Sequence, residues 1–218
     1  MADRYSSFFA LLTSFPSAAG CLELRARNPI SRRTVRLWTS PEQVDEIRDW
    51  LARRGSSPDA FFSIARRDGG GSGARALVSL PALWANVNHA SVHVPPEMPP
   101  PTAIVFTGRG HHLYWVLQQA VELTPEKIPT IDRILRGLAR RVQGDPGSAQ
   151  VSHFLRIPGT FNAKYRPPVS TALVLLEPGR RASLQAFLAF ADPPRLANPE
   201  LRPKGAAGDG DISANDSD

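Results

Sequence analysis

The sequence predicts an α+β domain over residues 1–191 with an antiparallel or mixed sheet, followed by a disordered tail over residues 192–218. Three observations carry this. Short alternating segments cluster without the strand–helix–strand rhythm of a doubly wound fold. One helix, between Pro129 and Gln143, has a clear apolar stripe. The composition then changes at about residue 192 to Pro, Gly, Asp and Ser with few apolar side chains.

Cys21-Leu22-Glu23-Leu24-Arg25-Ala26 alternates and reads as a strand, as does Thr34-Val35-Arg36-Leu37-Trp38. A helix follows, with Ser40 as N-cap, Pro41 in the first turn and Gln43 completing a capping box. Val44, Ile47 and Leu51 share one face, and Gly55 stops it. Residues 60–65 form a third strand ending at Arg66 and Arg67, and 68–73 a glycine-rich loop. A fourth strand spans 82–88; the prolines from 95 to 101 make a surface connection. Strands at 102–106 and 112–117 flank Thr107-Gly108-Arg109-Gly110-His111, a hairpin with a glycine-bearing turn. In the striped helix, Ile131, Ile134, Leu135, Leu138 and Val142 face a core, and Gly144 ends it. A strand at 171–176 and a short helix at 183–190 complete the domain.

Composition narrows the function classes. With 218 residues, 42% of them hydrophobic, one real core is affordable. A single cysteine excludes an intramolecular disulfide and a cysteine-based zinc cluster, and fits a reducing cytoplasm. No apolar run reaches the roughly 18 residues of a membrane span. Phe8-Phe9-Ala10-Leu11-Leu12 before Cys21 superficially resembles a lipoprotein signal, but Asp3 cancels Arg4 and Pro16 interrupts the segment. An amphipathic helix running into the first strand is the favoured reading there. Net charge is +6, and the tail's excess of three acids leaves residues 1–191 at +9. A basic body of this kind suits a polyanion partner.

Two segments carry chemistry. Gly108 and Gly110 let backbone approach a ligand, Arg109 offers a planar fork for phosphate, and His112 opens the next strand. Val151 to Tyr165 runs through a tight Pro158-Gly159 turn and then presents Asn162 and Lys164, a donor and a cation.

Together these segments resemble one family. Gly108-Arg109-Gly110-His111-His112-Leu113-Tyr114-Trp115, followed by Leu155-Arg156-Ile157-Pro158-Gly159-Thr160-Phe161-Asn162-Ala163-Lys164, is similar to the archaeo-eukaryotic type primase-polymerases of plasmids, phages and mobile elements, including the plasmid RepB-type primase domain. Cys21–Arg25, Phe62–Arg67 and Leu80–Trp84 fall where that family has similar phrases, so the resemblance covers roughly residues 5–190. It implies an RRM-like sheet with helices on one side and a nucleotidyltransferase site on the other face. It also implies catalysis by two Mg or Mn ions that align a primer hydroxyl on an incoming nucleotide. By the same resemblance His112 contacts the triphosphate, and Arg109, Gly110, Arg156 and Lys164 border it. The implied partners are a nucleoside triphosphate, single-stranded or primed DNA, and a separately encoded helicase or replication protein.

The chain departs from this pattern at the metal. The family's Asp-x-Asp or Asp-x-Glu pair is Asn86-Val87-Asn88 here, and its third carboxylate falls at Gln150. Spacing keeps both asparagines on one strand face, but their charge is gone. Magnesium prefers anionic oxygens, so no high-affinity metal site is expected. Asparagine at both positions is what deliberate inactivation would leave; Gln150 and the proline-rich loop favour a naturally degenerate member. Three readings stay open: an impaired primase-like protein that still binds nucleotide and template, an active primase-polymerase using Asp145 or another acid, and a non-enzymatic single-stranded nucleic-acid-binding module. A rolling-circle initiator with a His-x-His site is disfavoured, because His111 and His112 are adjacent and point to opposite faces.

Overall fold

The computed structural model describes residues 2–15, 19–28, 30–31, 33–40, 43–55, 58–69, 71 and 73–194. Pro41 and the tail from residue 195 onward lie outside the described residues, and so does the expectation of disorder there.

The chain opens with α1 (Ala2–Thr13), whose Phe8, Phe9, Leu11 and Leu12 are buried. Phe8 sets its ring edge-on to Phe62 at 5.9 Å and to Tyr114 at 5.2 Å, so this segment is part of the core. Strands β1 (Leu22–Arg27) and β2 (Thr34–Thr39) pair antiparallel around a turn in which Asn28 Oδ1 accepts from the Ile30 and Ser31 N–H groups. After α2 (Val44–Ala52), β3 (Asp59–Ser63) pairs with the other edge of β1. Then come β4 (Arg66–Arg67), β5 (Leu77–Val87), β6 (Ala103–Phe106), β7 (His111–Glu122), α3 (Ile128–Arg141), β8 (Phe154–Arg156), β9 (Phe161–Asn162), β10 (Val169–Ser170) and β11 (Ala172–Leu176). A 3-10 helix, Leu184–Phe190, closes the domain, and a 3-10 turn at Pro146–Ser148 follows α3.

The fold is α+β, built from a four-stranded sheet β2-β1-β3-β8, a five-stranded sheet β11-β6-β7-β5-β4 and a two-stranded β9-β10 ribbon; these named strands pair antiparallel, and Leu117 of β7 adds a parallel bridge to Ala182. Phe8 of α1 bridges Phe62 of one sheet and Tyr114 of the other. The far face of the five-stranded sheet, marked by Trp115, meets Phe187 of the C-terminal 3-10 helix, which packs with α3. Burying each large apolar side chain of this kind contributes about 1.5–3 kcal/mol. Among the described residues no helix is long and apolar enough to cross a membrane.

Several elements differ from the sequence reading. Helix α2 starts at Val44, because Gln43 has a non-helical ψ and stands as the N-cap. Half of the expected capping box survives: the Gln43 side chain accepts from the Ser40 N–H at 3.3 Å. The strand expected over 60–65 stops at Ser63, where the Ser63 hydroxyl donates to Ala65 C=O and the chain crosses to the other sheet. Strand β5 begins five residues before the expected position. It accommodates Pro81 where the register against β7 shifts between Leu80 and Ala82, a place where a missing N–H costs no ladder bond. The proline-rich connection is partly interior: Met98 is buried, and Pro99 C=O accepts from the Trp115 indole at 2.7 Å. Residues 184–190 form a 3-10 helix.

Candidate functional site

The end of β5 lies beside the start of β7, with Asn86 opposite His112 and Val87 opposite His111. Alternation along both strands places Asn86, His112 and Tyr114 on the face turned toward Phe62 and the four-stranded sheet. Asn88 follows two residues after Asn86, just past the strand, and is exposed.

The hairpin that connects β6 to β7 closes through Thr107 N–H donating to Gly110 C=O at 2.8 Å. Two glycines are required there. Gly108 has φ +114°, a backbone conformation that L side chains rarely adopt, and a Cβ on Gly110 would lie 2.0 Å from Val87 C=O. Asn162, buried after the Pro158-Gly159 turn, donates from Nδ2 to Thr107 C=O at 2.7 Å and accepts from Lys164 N–H at 3.1 Å. This one side chain binds the two sequence motifs together.

The cleft so formed has a volume of about 550 Å³, within the range of small-ligand sites. Asn86, Asn88, Arg109, His112, Arg156 and Lys164 all line it, together with His153 and Tyr165, and among the described residues no carboxylate does so. Gly110 also lines it. Gln150 is exposed and lies outside the lining, on a turn where its C=O accepts from His153 N–H. Asp145 is close by through its backbone, since its N–H donates to Asn86 C=O at 2.7 Å. Its carboxylate caps the following 3-10 turn, accepting from Gly147 N–H at 2.8 Å.

The cations differ in how they are held. Arg156 donates to Asp59 at 2.5 Å and to Phe161 C=O at 3.2 Å, with its guanidinium 4.6 Å above the Phe61 ring. Asp59 is fully buried and also accepts from Arg27 at 2.9 Å. Arg109 lies 4.8 Å over the Tyr165 ring. Neither Arg109 nor Lys164 has a carboxylate partner among the described residues. Sequence reasoning missed Asp59, His153, Tyr165 and Phe61; none carries a signal until strand pairing sets them beside Arg156 and His112.

Burial pushes His112 down to about 3, with Arg156, His153 and His111 adding to the effect, so its ring is neutral. Burial holds the Tyr114 hydroxyl well above its ordinary value, so it keeps its proton. Tyr114 Oη and His112 Nδ1 are 3.3 Å apart. A protonated phenol donating to Nδ1 leaves the imidazole proton on Nε2, where it serves as a neutral donor. His153 is also lowered by burial, with Asp145 opposing.

Three cations, a neutral imidazole and amide groups line this cleft, a donor set whose chemistry suits an anion. They do not fit a pair of magnesium ions, which require several anionic oxygens. Among the described residues no group of three or more His, Cys, Asp or Glu side chains is arranged to hold a metal.

No protein-family model and no curated protein sequence matches the chain. Solved structures do. The chain is similar to the AEP domain of the cyanophage S-2L primase-polymerase, with 16% identity over 82% of this chain and 95% of that one, and a TM-score of 0.56. It is similar to primase RepB′ at 15% identity, covering 86% of this chain and 62% of that one, with a TM-score of 0.59. The catalytic domain of primase RepB′ in complex with initiator DNA gives 14% identity, 86% and 94% coverage, and a TM-score of 0.58. Identities this low speak for architecture alone, and that architecture is the archaeo-eukaryotic primase-polymerase fold.

Proposed function

We propose that this protein acts in DNA replication as a primase-polymerase-like protein that holds a nucleoside triphosphate in the cleft beside a primed or single-stranded template, with phosphoryl transfer impaired. A separately encoded helicase or replication protein would supply unwinding. The observation that carries this reading is a lining with Arg109, Arg156, Lys164 and neutral His112 and, among the described residues, no carboxylate. The arginines and the lysine suit phosphate oxygens, and the Nε2–H of His112 adds a donor that needs no charge. Asp145, joined to Asn86 through its main chain, has its carboxylate engaged by Gly147 N–H, and among the described residues no acid lines the cleft. One carboxylate does not hold two ions.

The test is calorimetric titration of dATP with and without manganese, alongside extension of a primed oligonucleotide. Wild type should bind dATP with an affinity that manganese leaves unchanged and should not extend the primer. The double variant Asn86→Asp with Asn88→Asp should gain manganese-dependent affinity and chelator-sensitive extension. Chelator-sensitive extension by wild type overturns the impairment, and absence of dATP binding overturns the site.

A further inference from the structure

The chain separates its charges sharply. Residues 205–218 hold four aspartates, Asp209, Asp211, Asp216 and Asp218, and no basic residue, whereas residues 1–191 stand at +9. Beside the cleft lies a groove of about 920 Å³ whose lining includes Arg27, Arg156, Lys164 and Arg166, with Ile30 and Tyr165 among them. Among the described residues no carboxylate lines it. Arg27 and Arg156 share the buried Asp59 beneath. Lys164 and Arg166 are exposed, and neither has an ion pair among the described residues. Four cations over one shared carboxylate leave the groove three charges positive.

The acidic segment starts close to this groove. Asp192 is pinned on α3: its N–H donates to Arg133 C=O at 3.0 Å, its C=O accepts from Arg133 Nε at 2.6 Å, and its carboxylate meets Arg140 at 3.2 Å. Arg140 precedes Gly144 by about one helical turn, and Gly144 packs against Asn86 C=O at the cleft. The described residues end at Pro194. Residues 195–208 then separate Pro194 from Asp209; extended, a stretch of that length spans about 46 Å. A domain of this size has a radius of gyration of about 16 Å, so the aspartates reach the groove with chain to spare. The cations nearer the exit are already engaged, Arg133 and Arg140 by Asp192 and Arg141 by Glu97.

We propose that residues 205–218 dock in this groove of their own chain and screen the neighbouring cleft from other anions. The aspartates face Lys164, Arg166, Arg156 and Arg27. Ile212 is the one aliphatic side chain larger than alanine in the segment, and it meets Ile30, which lines the groove and is 92% exposed. Exposed ion pairs are individually weak. A tether, however, holds the segment at an effective concentration on the order of a millimolar, so even a weak site fills. Arg156, Lys164 and Tyr165 line both groove and cleft. An occupied groove therefore withdraws two of the three cations, Arg156 and Lys164, that the cleft offers beside Arg109. Salt loosens the docking, and a tighter anion displaces it by mass action. The docking rests on the groove alone; its competition with dATP rests on the cleft being a nucleotide site.

Zero-length carbodiimide coupling of carboxylates to amines tests the docking in the full chain. The chain has three lysines, Lys127, Lys164 and Lys204, of which Lys164 alone lines the groove. Peptide mapping of the monomer at low salt should find the aspartates of 205–218 joined to Lys164 about fivefold more often than to Lys127, and high salt should remove that excess. Arg166→Glu, a change at an exposed residue, should lower the Lys164 yield about tenfold. The full chain carrying Asp209→Asn, Asp211→Asn, Asp216→Asn and Asp218→Asn should bind dATP about fivefold more tightly than wild type at low salt and equally at high salt. Thermal melts verify that the variants fold.

Equal coupling of the segment to Lys127 and Lys164 overturns the docking. Coupling confined to covalent dimers gives the groove to the segment of a second copy and overturns docking within one chain. Strong coupling at Lys164, with dATP affinity the same in wild type and the four-asparagine chain, overturns the screening of the cleft. If neither protein binds dATP while the Lys164 coupling persists, the nucleotide reading falls and the docking stands.

Discussion

Lowering the pH from 7 to 5 should destabilise the fold through His112 by an amount that can be worked from its burial. An unfolded histidine titrates near 6.5, whereas the folded ring, excluded from water beside Arg156, is pushed down to about 3. Between those values the unfolded chain binds a proton that the folded chain refuses, so stability falls as pH drops through that window. At pH 5 the unfolded state is favoured by about 2 kcal/mol relative to pH 7, from roughly 1.36 kcal/mol per pKa unit. Urea denaturation at pH 7, 6 and 5 measures it, with His112→Gln as the reference. The substitution also removes the partner of the Tyr114 hydroxyl, but that loss is a constant offset. Only the difference in pH slope between the two proteins is read. Parallel stability profiles would refute the claim that a neutral, buried imidazole stands at the floor of the cleft.

Two further outcomes follow from packing. Gly110→Ala places a methyl group 2.0 Å from Val87 C=O, so the hairpin must move; a loss of about 1–3 kcal/mol by urea denaturation is expected, with weaker dATP binding. Glu23→Leu leaves Arg67, which is fully buried, without its carboxylate; a loss of about 3–5 kcal/mol by the same assay is expected, and a neutral result would show that water reaches that guanidinium.

Much of the domain can be read from local pattern because local pattern made it. The stripe Ile131, Ile134, Leu135, Leu138 and Val142 is buried to 2% or less in and just beyond α3. The glycine hairpin and the Pro158-Gly159 turn are similarly local, since backbone conformation at Gly108 and Gly159 demands glycine. What escaped depends on partners distant in sequence. Nothing near Ser63 announces that the chain leaves one sheet for the other at Ile64 and Ala65, because the reason is the pairing of Arg66 and Arg67 with β5. Strand β5 runs through Pro81 because its neighbours lie at a register shift against β7, which nothing in the local sequence shows. In Cys21–Ala26 the alternation revealed a polar face, but the aromatic and cationic neighbours of that face come from three other strands.

The contact between Gly144-Asp145 and β5 is made by main chain: Asp145 N–H donates to Asn86 C=O, and Gly144 has no room for a side chain against that same carbonyl. Among the described residues the contact uses the Asn86 carbonyl and not its side-chain amide. Exchanging amide for acid at this position should therefore change what the cleft attracts while leaving that main-chain contact in place.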